Sequence, residues 1–345
     1  MRDLISDYQR FASAGAPFGR AVVTSVWGSA PRPEGSSMLA SRTGAIAGSV
    51  SGGCVESATA GEITEAIARG TPKLVTYGVS HERAWEVGLA CGGTIRVFVE
   101  PSVRPEVLDA ARGSGGEVVA TVIEGPQLGR SALVFEDGRV EGTLLEGLAM
   151  GPLRDAALAA LRQERSTTLE LQADGGPVSV FLEVFPHEPR LVIFGGVHVA
   201  VELVRLAKPL GYRTIVADGR ESFLTRERFP TADELILGWP EEAFTRIGLD
   251  ASCYVCILSH DPKFDEPALK LALRSPAAYV GAIGSRKTQT ERRQWLQAEG
   301  LTPEQIDRLY GPIGLDLGGR QPAETALAIL AEMTAVRYGG KAVRR

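Results

Sequence analysis

Two cysteines of this chain stand beside paired glycines in mirror-image stretches, Gly52-Gly53-Cys54 and Cys91-Gly92-Gly93. Glycine pairs let the backbone approach a bound group closely. Cys54 also opens an amphipathic run, and a thiol at a helix start meets unpaired N–H groups and the positive helix end, both of which favour the thiolate. Two small buried cysteines beside turns would fit the same residues. Neither thiol belongs to a nucleophilic triad, because His81 lies in a polar loop with no acid spaced to orient it.

A second group of candidates lies in the C-terminal half. Gly195-Gly196-Val197-His198-Val199-Ala200 follows an apolar run and resembles a dinucleotide fingerprint, but Val197 stands where the second Gly should let pyrophosphate approach. Asp218, at the end of the next apolar run, sits where an acid would bind ribose hydroxyls. NAD(P) binding is therefore doubtful, with a tight turn and a capping aspartate as the alternative. Cys253-x-x-Cys256 has a zinc-like spacing, yet residues three apart on a strand point to opposite faces, so these thiols read as buried hydrophobes. His260, Asp261 and Asp265 fall just beyond, on the rim where ligands bind. Gly284-Ser285-Arg286-Lys287 offers small residues, a hydroxyl and two cations at a helix start, which is anion-site chemistry.

These candidates need elements to hold them. "GRAVVTSVWGSAP" reads as a strand, "SSMLASRTGAIAGSVSGG" as two short strands broken at Thr43-Gly44, and a helix is expected from Cys54 to the stop at Gly70-Thr71-Pro72. "KLVTYGV" and "TIRVFVE" add strands. From 103 to 186 the punctuation is α+β and less distinctive: helices near 104–112 and 152–164, and strands at 117–123, 131–136, 167–172 and 178–185. Pro186-His187-Glu188-Pro189 reads as a linker. Beyond it, continuous apolar runs alternate with helices, including one between "YRTIVAD" and "ELILG". That pattern defines a parallel sheet covered on both faces. The fold class is therefore α/β: an N-terminal α+β domain over 1–186 and a C-terminal Rossmann-like, doubly wound domain over 190–345.

Bulk properties narrow the partners. With 345 residues, two cores are expected. A formal charge of −5 argues against nucleic acid and anionic lipid, and the only basic cluster is Lys341 to Arg345. The opening "MRDLISDYQRFASAG" carries Arg2, Asp3, Asp7 and Arg10 and lacks a secretory apolar core. The most apolar segment, 191–207, contains His198, Glu202 and Arg205, so no membrane span is expected. Four cysteines without a secretory signal fit reduced thiols in a cytoplasmic protein.

Taken in order, "GSAPRPEGSSMLASRTGAIAGSVSGGCVE", "ACGGTIRVFVEP", "RLVIFGGVHVAVELVRLAKPLGYRTIVADGRE", "SHDPKFDEPAL", "YVGAIGSRKT" and "GPIGLDLGGRQPAETALAI" resemble the XdhC/CoxI family, accessory proteins of xanthine dehydrogenase and carbon monoxide dehydrogenase. The resemblance implies a chaperone that binds the molybdenum cofactor, supports its sulfuration by a cysteine desulfurase and delivers it to an apo-hydroxylase of the xanthine dehydrogenase type. Purine catabolism is the setting it implies, and no substrate turnover is required. It places Gly52, Gly53, Cys54, Glu56, Cys91, Gly92 and Gly93 at the cofactor site, where Cys54 and Cys91 either contact molybdenum or line the pocket. Thiolates suit a soft metal or shield its labile sulfur. The pyranopterin phosphate or nucleotide suits the Gly-rich loops and the Arg286-Lys287 pair. A homo-oligomer, a dimer in the simplest case, is expected. Two other classes fit part of the chain: an NAD(P)-binding oxidoreductase, and a scaffold that only docks desulfurase and hydroxylase.

Overall fold

A computed structural model describes residues 1–29, 31–78, 93–142 and 150–340. His81, Cys91, Gly92 and the basic cluster 341–345 lie outside the described residues. The chain divides into two compact units, Met1–His187 and Glu188–Arg345.

The first unit holds two antiparallel five-stranded sheets. One contains β1 (Phe18–Trp27), β2 (Ser37–Ser41), β3 (Ile46–Gly48), β4 (Lys73–Tyr77) and β5 (Thr94–Glu100) in the order β3-β2-β1-β5-β4. Helix α1 (Ile5–Ser13) precedes it, and α2 (Glu56–Arg69) lies between β3 and β4. After α3 (Pro105–Arg112), the second sheet runs through β6 (Glu117–Glu124), β7 (Ser131–Phe135), β8 (Val140–Gly142), α4 (Met150–Arg162), β9 (Thr167–Ala173) and β10 (Gly176–Phe185). Its order is β8-β7-β6-β10-β9.

Strand alternation explains how these sheets share one body. On β1, Ala21 and Val23 join the core with Val55 and Ile63 under α2, while Val22, on the opposite face, meets Phe98, Ile123 and Phe181 of the two sheets. Arg20 shares the parity of Val22 and is wholly buried. It donates to Glu100 (3.2 Å), Ser37 (2.9 Å) and Glu183, so one guanidinium ties β1, β2 and β5 to β10. Burial of a charge this deep is tolerable only with such pairing.

The second unit is a six-stranded parallel sheet. Its strands are β11 (Arg190–Phe194), β12 (Arg213–Asp218), β13 (Glu234–Leu237), β14 (Cys253–Ile257), β15 (Tyr279–Ala282) and β16 (Leu309–Tyr310), in the order β13-β12-β11-β14-β15-β16. This is the doubly wound order with its switch point between β11 and β14. Helices α5 (His198–Ala207) and α10 (Pro322–Arg337) cover one face; α6 (Pro240–Ile247), α7 (Pro262–Arg274), α8 (Arg286–Ala298) and α9 (Pro303–Asp307) lie on the other. The expected α/β architecture is thus the one observed.

Two local expectations differ, and two short strands are not among those expected. Helix α2 starts at Glu56 rather than Cys54, because residues 49–55 form a closed turn before it. The expected helix between β12 and β13 is a single 3-10 turn, Glu221–Phe223. There Arg226 and Arg228 donate to the carbonyls of Ala232 (2.6 Å) and Phe223 (2.9 Å), taking over acceptors that a helix would use, and Pro230 lacks an N–H. The short strands β8 and β16 carry too few residues to show a period.

Candidate functional site

The turn between β3 and α2 presents Cys54 to solvent. Val50 and Val55 are buried in the core under α2, whereas Gly52, Gly53 and Cys54 are exposed. Anchored ends and an exposed tip follow from the alternation of apolar and small residues. Gly52 (φ +81) and Gly53 (φ +124) take backbone conformations that a side chain would strain, and a Cβ on Gly53 would meet nothing within 4 Å. Among the described residues nothing fills the space beside Gly53, next to Cys54.

Glu56 closes the turn from below. Its carboxylate accepts from the N–H groups of Val50 (3.2 Å), Ser51 (2.9 Å), Gly52 (3.1 Å), Gly53 (2.8 Å) and Val55 (3.2 Å), and from the hydroxyls of Ser49 and Ser51 (both 2.6 Å). Ser51 Oγ in turn accepts from the N–H groups of Cys54 and Val55 (both 3.0 Å). Successive N–H groups converging on one point form an anion nest; here the chain's own carboxylate fills it. Partial burial pushes the Glu56 carboxyl upward, but the Ser49 and Ser51 hydroxyls and the backbone donors outweigh it and hold the group down at about 2.

The N–H groups of the turn from Val50 to Val55 are therefore partnered, whereas α2 itself begins without a side-chain cap. Glu56 faces the turn it organises. Ser49 and Ser51, which the glycine-cysteine pattern does not single out, supply the hydroxyls; the signal that could have found them is an acid in a first helical turn just after Ser-x-Ser-Gly-Gly.

The second glycine stretch reaches the same neighbourhood. A Cβ on Gly93 would stand 2.3 Å from the Ser29 carbonyl and 3.2 Å from that of Trp27, and one on Gly52 would touch Pro31 Cγ at 3.4 Å. The chain just beyond β1 thus lies against both glycines, and Trp27 is half-exposed there. Among the described residues no group of three His, Cys, Asp or Glu is placed to hold a metal ion.

In the second unit the first βα turn is packed by the chain itself. Gly195 (φ +113) meets Ser259, and a Cβ on Gly196 would fall 2.5 Å from the Phe223 carbonyl. Gly196 N–H donates to Asp218 (2.8 Å), and Arg220 grips the same carboxylate through Nε (2.9 Å) and Nη2 (2.8 Å). Asp218 is fully buried. Burial raises its pKa, but Arg220 and the Gly196 N–H prevail and hold it below the ordinary value. Val197 caps α5 in extended conformation, and His198 is exposed at its first residue.

Across the switch point, His260 is exposed with a left-handed φ of 59, and Asp261 caps α7 through the Lys263 N–H (3.2 Å). Asp265, behind it, is buried and bonded to Ser259 and Arg292. Cys253 and Cys256 are buried in opposite cores, as strand parity requires. Gly284 (φ +142) and Ser285 lead into α8, whose first turn exposes Arg286 and Lys287. Ser285 caps it by accepting from the Thr288 N–H (3.1 Å).

A thiol-bearing turn on an antiparallel α+β unit, followed by a Rossmann-type unit, defines the class of protein. Residues 191–333 match the XdhC Rossmann domain, and residues 11–78 match the XdhC and CoxI family. The chain belongs to the XdhC and CoxI family. It is 29% identical over 325 residues to a probable xanthine dehydrogenase subunit of Bacillus subtilis, covering 92% of each chain. To the Escherichia coli molybdenum cofactor insertion chaperone PaoD it is 26% identical, over 95% of this chain and 87% of that one. A crystal structure described as a xanthine dehydrogenase from Bacillus halodurans superposes with TM-score 0.74 at 26% identity, covering 99% of this chain and 97% of that one.

Proposed function

We propose that this protein is an accessory chaperone that binds the molybdenum cofactor and delivers it to a xanthine dehydrogenase-type hydroxylase. The observation that carries the reading is Cys54, exposed on a turn whose every neighbouring N–H is pinned by Glu56 or Ser51. An exposed thiol on a fixed backbone suits a soft metal or its terminal sulfur. The names of the Bacillus subtilis and Escherichia coli relatives support the same cargo and recipient.

In this reading Gly53 keeps the approach clear, Gly52 and Gly93 let the chain beyond β1 pack close, Cys91 and Gly92 complete the site, and Glu56 shapes it. Cys54 and Cys91 contact the metal end of the cofactor; Gly284, Ser285, Arg286 and Lys287 of the second unit offer anion-site chemistry of their own. Sulfuration by a cysteine desulfurase, action as a cytoplasmic homodimer and a place in purine catabolism complete the proposal. NAD(P) is not part of this reading, because Val197 stands where the second fingerprint Gly should let pyrophosphate approach. Among the described residues no helix is long and apolar enough to cross a membrane.

The test is Cys54→Ala, purified anaerobically from a cofactor-producing host. The proposal expects a several-fold loss of co-purifying molybdenum and pterin with an unchanged melting temperature, since Cys54 is exposed. Unchanged pterin content sinks the assignment of Cys54.

A further inference from the structure

The second unit contains a cleft of about 880 Å³, bounded by one face of α8, the edge strand β16 and its following loop, and Glu332 of α10. This volume lies in the range of small-ligand sites. The cleft opens where β16 ends and α8 begins, on the carboxyl rim of the sheet, where doubly wound folds bind ligands.

Three features of its wall are unmatched among the described residues. Gln289 is 3% exposed; its Nε2 donates to the Ala282 carbonyl (3.1 Å), which fixes the amide and turns Oε1 toward Gly311 on the cleft wall. That oxygen is buried with no hydrogen-bond partner among the described residues. An orphaned acceptor of this kind costs roughly 1–3 kcal/mol unless something donates to it. Glu332, 8% exposed, uses one carboxylate oxygen for Tyr279 OH (2.5 Å) and Gly314 N–H (2.9 Å); its other oxygen has no hydrogen-bond partner among the described residues, and the residue lines the cleft.

At the rim, Arg286 has no side-chain hydrogen bond or ion pair among the described residues. Its neighbours do: Lys287 faces Glu291 (3.9 Å), and Arg293 is held by the carbonyls of Ile306 (3.0 Å) and Leu309 (2.8 Å). A cation in a first helical turn is electrostatically misplaced without an anion nearby. Arg286 and Gln289, three residues apart, share the face of α8 that lines the cleft. Finally, Tyr254, Tyr279 and Tyr310 form a run of near-parallel rings (centroids 6.4 and 4.7 Å apart), and the run ends at Tyr310 on the cleft wall.

We infer that this cleft binds a planar nitrogen heterocycle carrying a phosphate. N–H groups of the ring donate to Gln289 Oε1 and Glu332, the ring extends the tyrosine stack, and the phosphate meets Arg286 and the α8 N-terminus. The inference deepens the preceding proposal and rests on it for the identity of the natural ligand, a pterin phosphate or its nucleotide; the site itself is tested separately.

The experiment is calorimetric titration of the full chain with GMP and with inorganic phosphate, for wild type, Arg286→Ala and Gln289→Leu. Wild type binds GMP, and binds phosphate at least tenfold more weakly. Arg286→Ala weakens GMP by about tenfold or more, the equivalent of one charge-assisted hydrogen bond. Gln289→Leu does the same, and the exposed Arg286 serves as the informative position if that buried variant fails to fold. Absence of GMP binding to wild type, equal affinity for phosphate alone, or an unaffected Arg286→Ala overturns the site. Pterin content, assayed on the same preparations, separates the two claims: GMP binding without co-purifying pterin preserves the cleft and removes the cargo, and the reverse removes the cleft alone.

Discussion

At the scale of residues, the chemistry turns on Cys54 and Glu56 together. The Gly-Gly-Cys order made the thiol legible in the sequence, since paired glycines mark a backbone that approaches something. The role of Glu56 was not legible, because its partners are N–H groups that converge only once Gly52 and Gly53 adopt positive φ. Glu56→Ala should lower the unfolding free energy by about 2 kcal/mol at neutral pH, through N–H groups left without their acceptor. The folded carboxyl is depressed to about 2 from an ordinary 4.5, so its contribution is complete above pH 4.5 and fades as the pH falls toward 2. Urea unfolding of wild type and variant across that window measures it. A gap that stays constant, or none at neutral pH, contradicts the clamp.

At the scale of elements, the alternation of apolar runs and helices gave away the parallel sheet, and strand parity correctly separated Cys253 from Cys256. What sequence could not show is how a loop returns to the first βα turn. The stretch after β12 has the length of a helix, but it folds back so that the Phe223 carbonyl seals Gly196. Gly196 therefore serves a chain-on-chain contact. A methyl group there meets backbone oxygen at 2.5 Å, and Gly196→Ala should destabilise the protein by about 1–3 kcal/mol, the usual range for overpacking. Thermal denaturation checks this. A variant as stable as wild type would mean that the turn is open to a ligand instead.

At the scale of the whole molecule, the two units carry separate chemistry: a soft exposed sulfur on a pinned turn in the first, and in the second a cleft with buried acceptors and a cation without a partner among the described residues. The chain belongs to the XdhC and CoxI family, and the proposed cargo is the one that the name of its Escherichia coli relative carries. The most direct test is mass spectrometry of the small molecule released from anaerobically isolated full-length protein. The account predicts a pyranopterin, with or without a nucleotide, accompanied by molybdenum. Protein that carries neither pterin nor metal, or that releases only a nicotinamide dinucleotide, contradicts it.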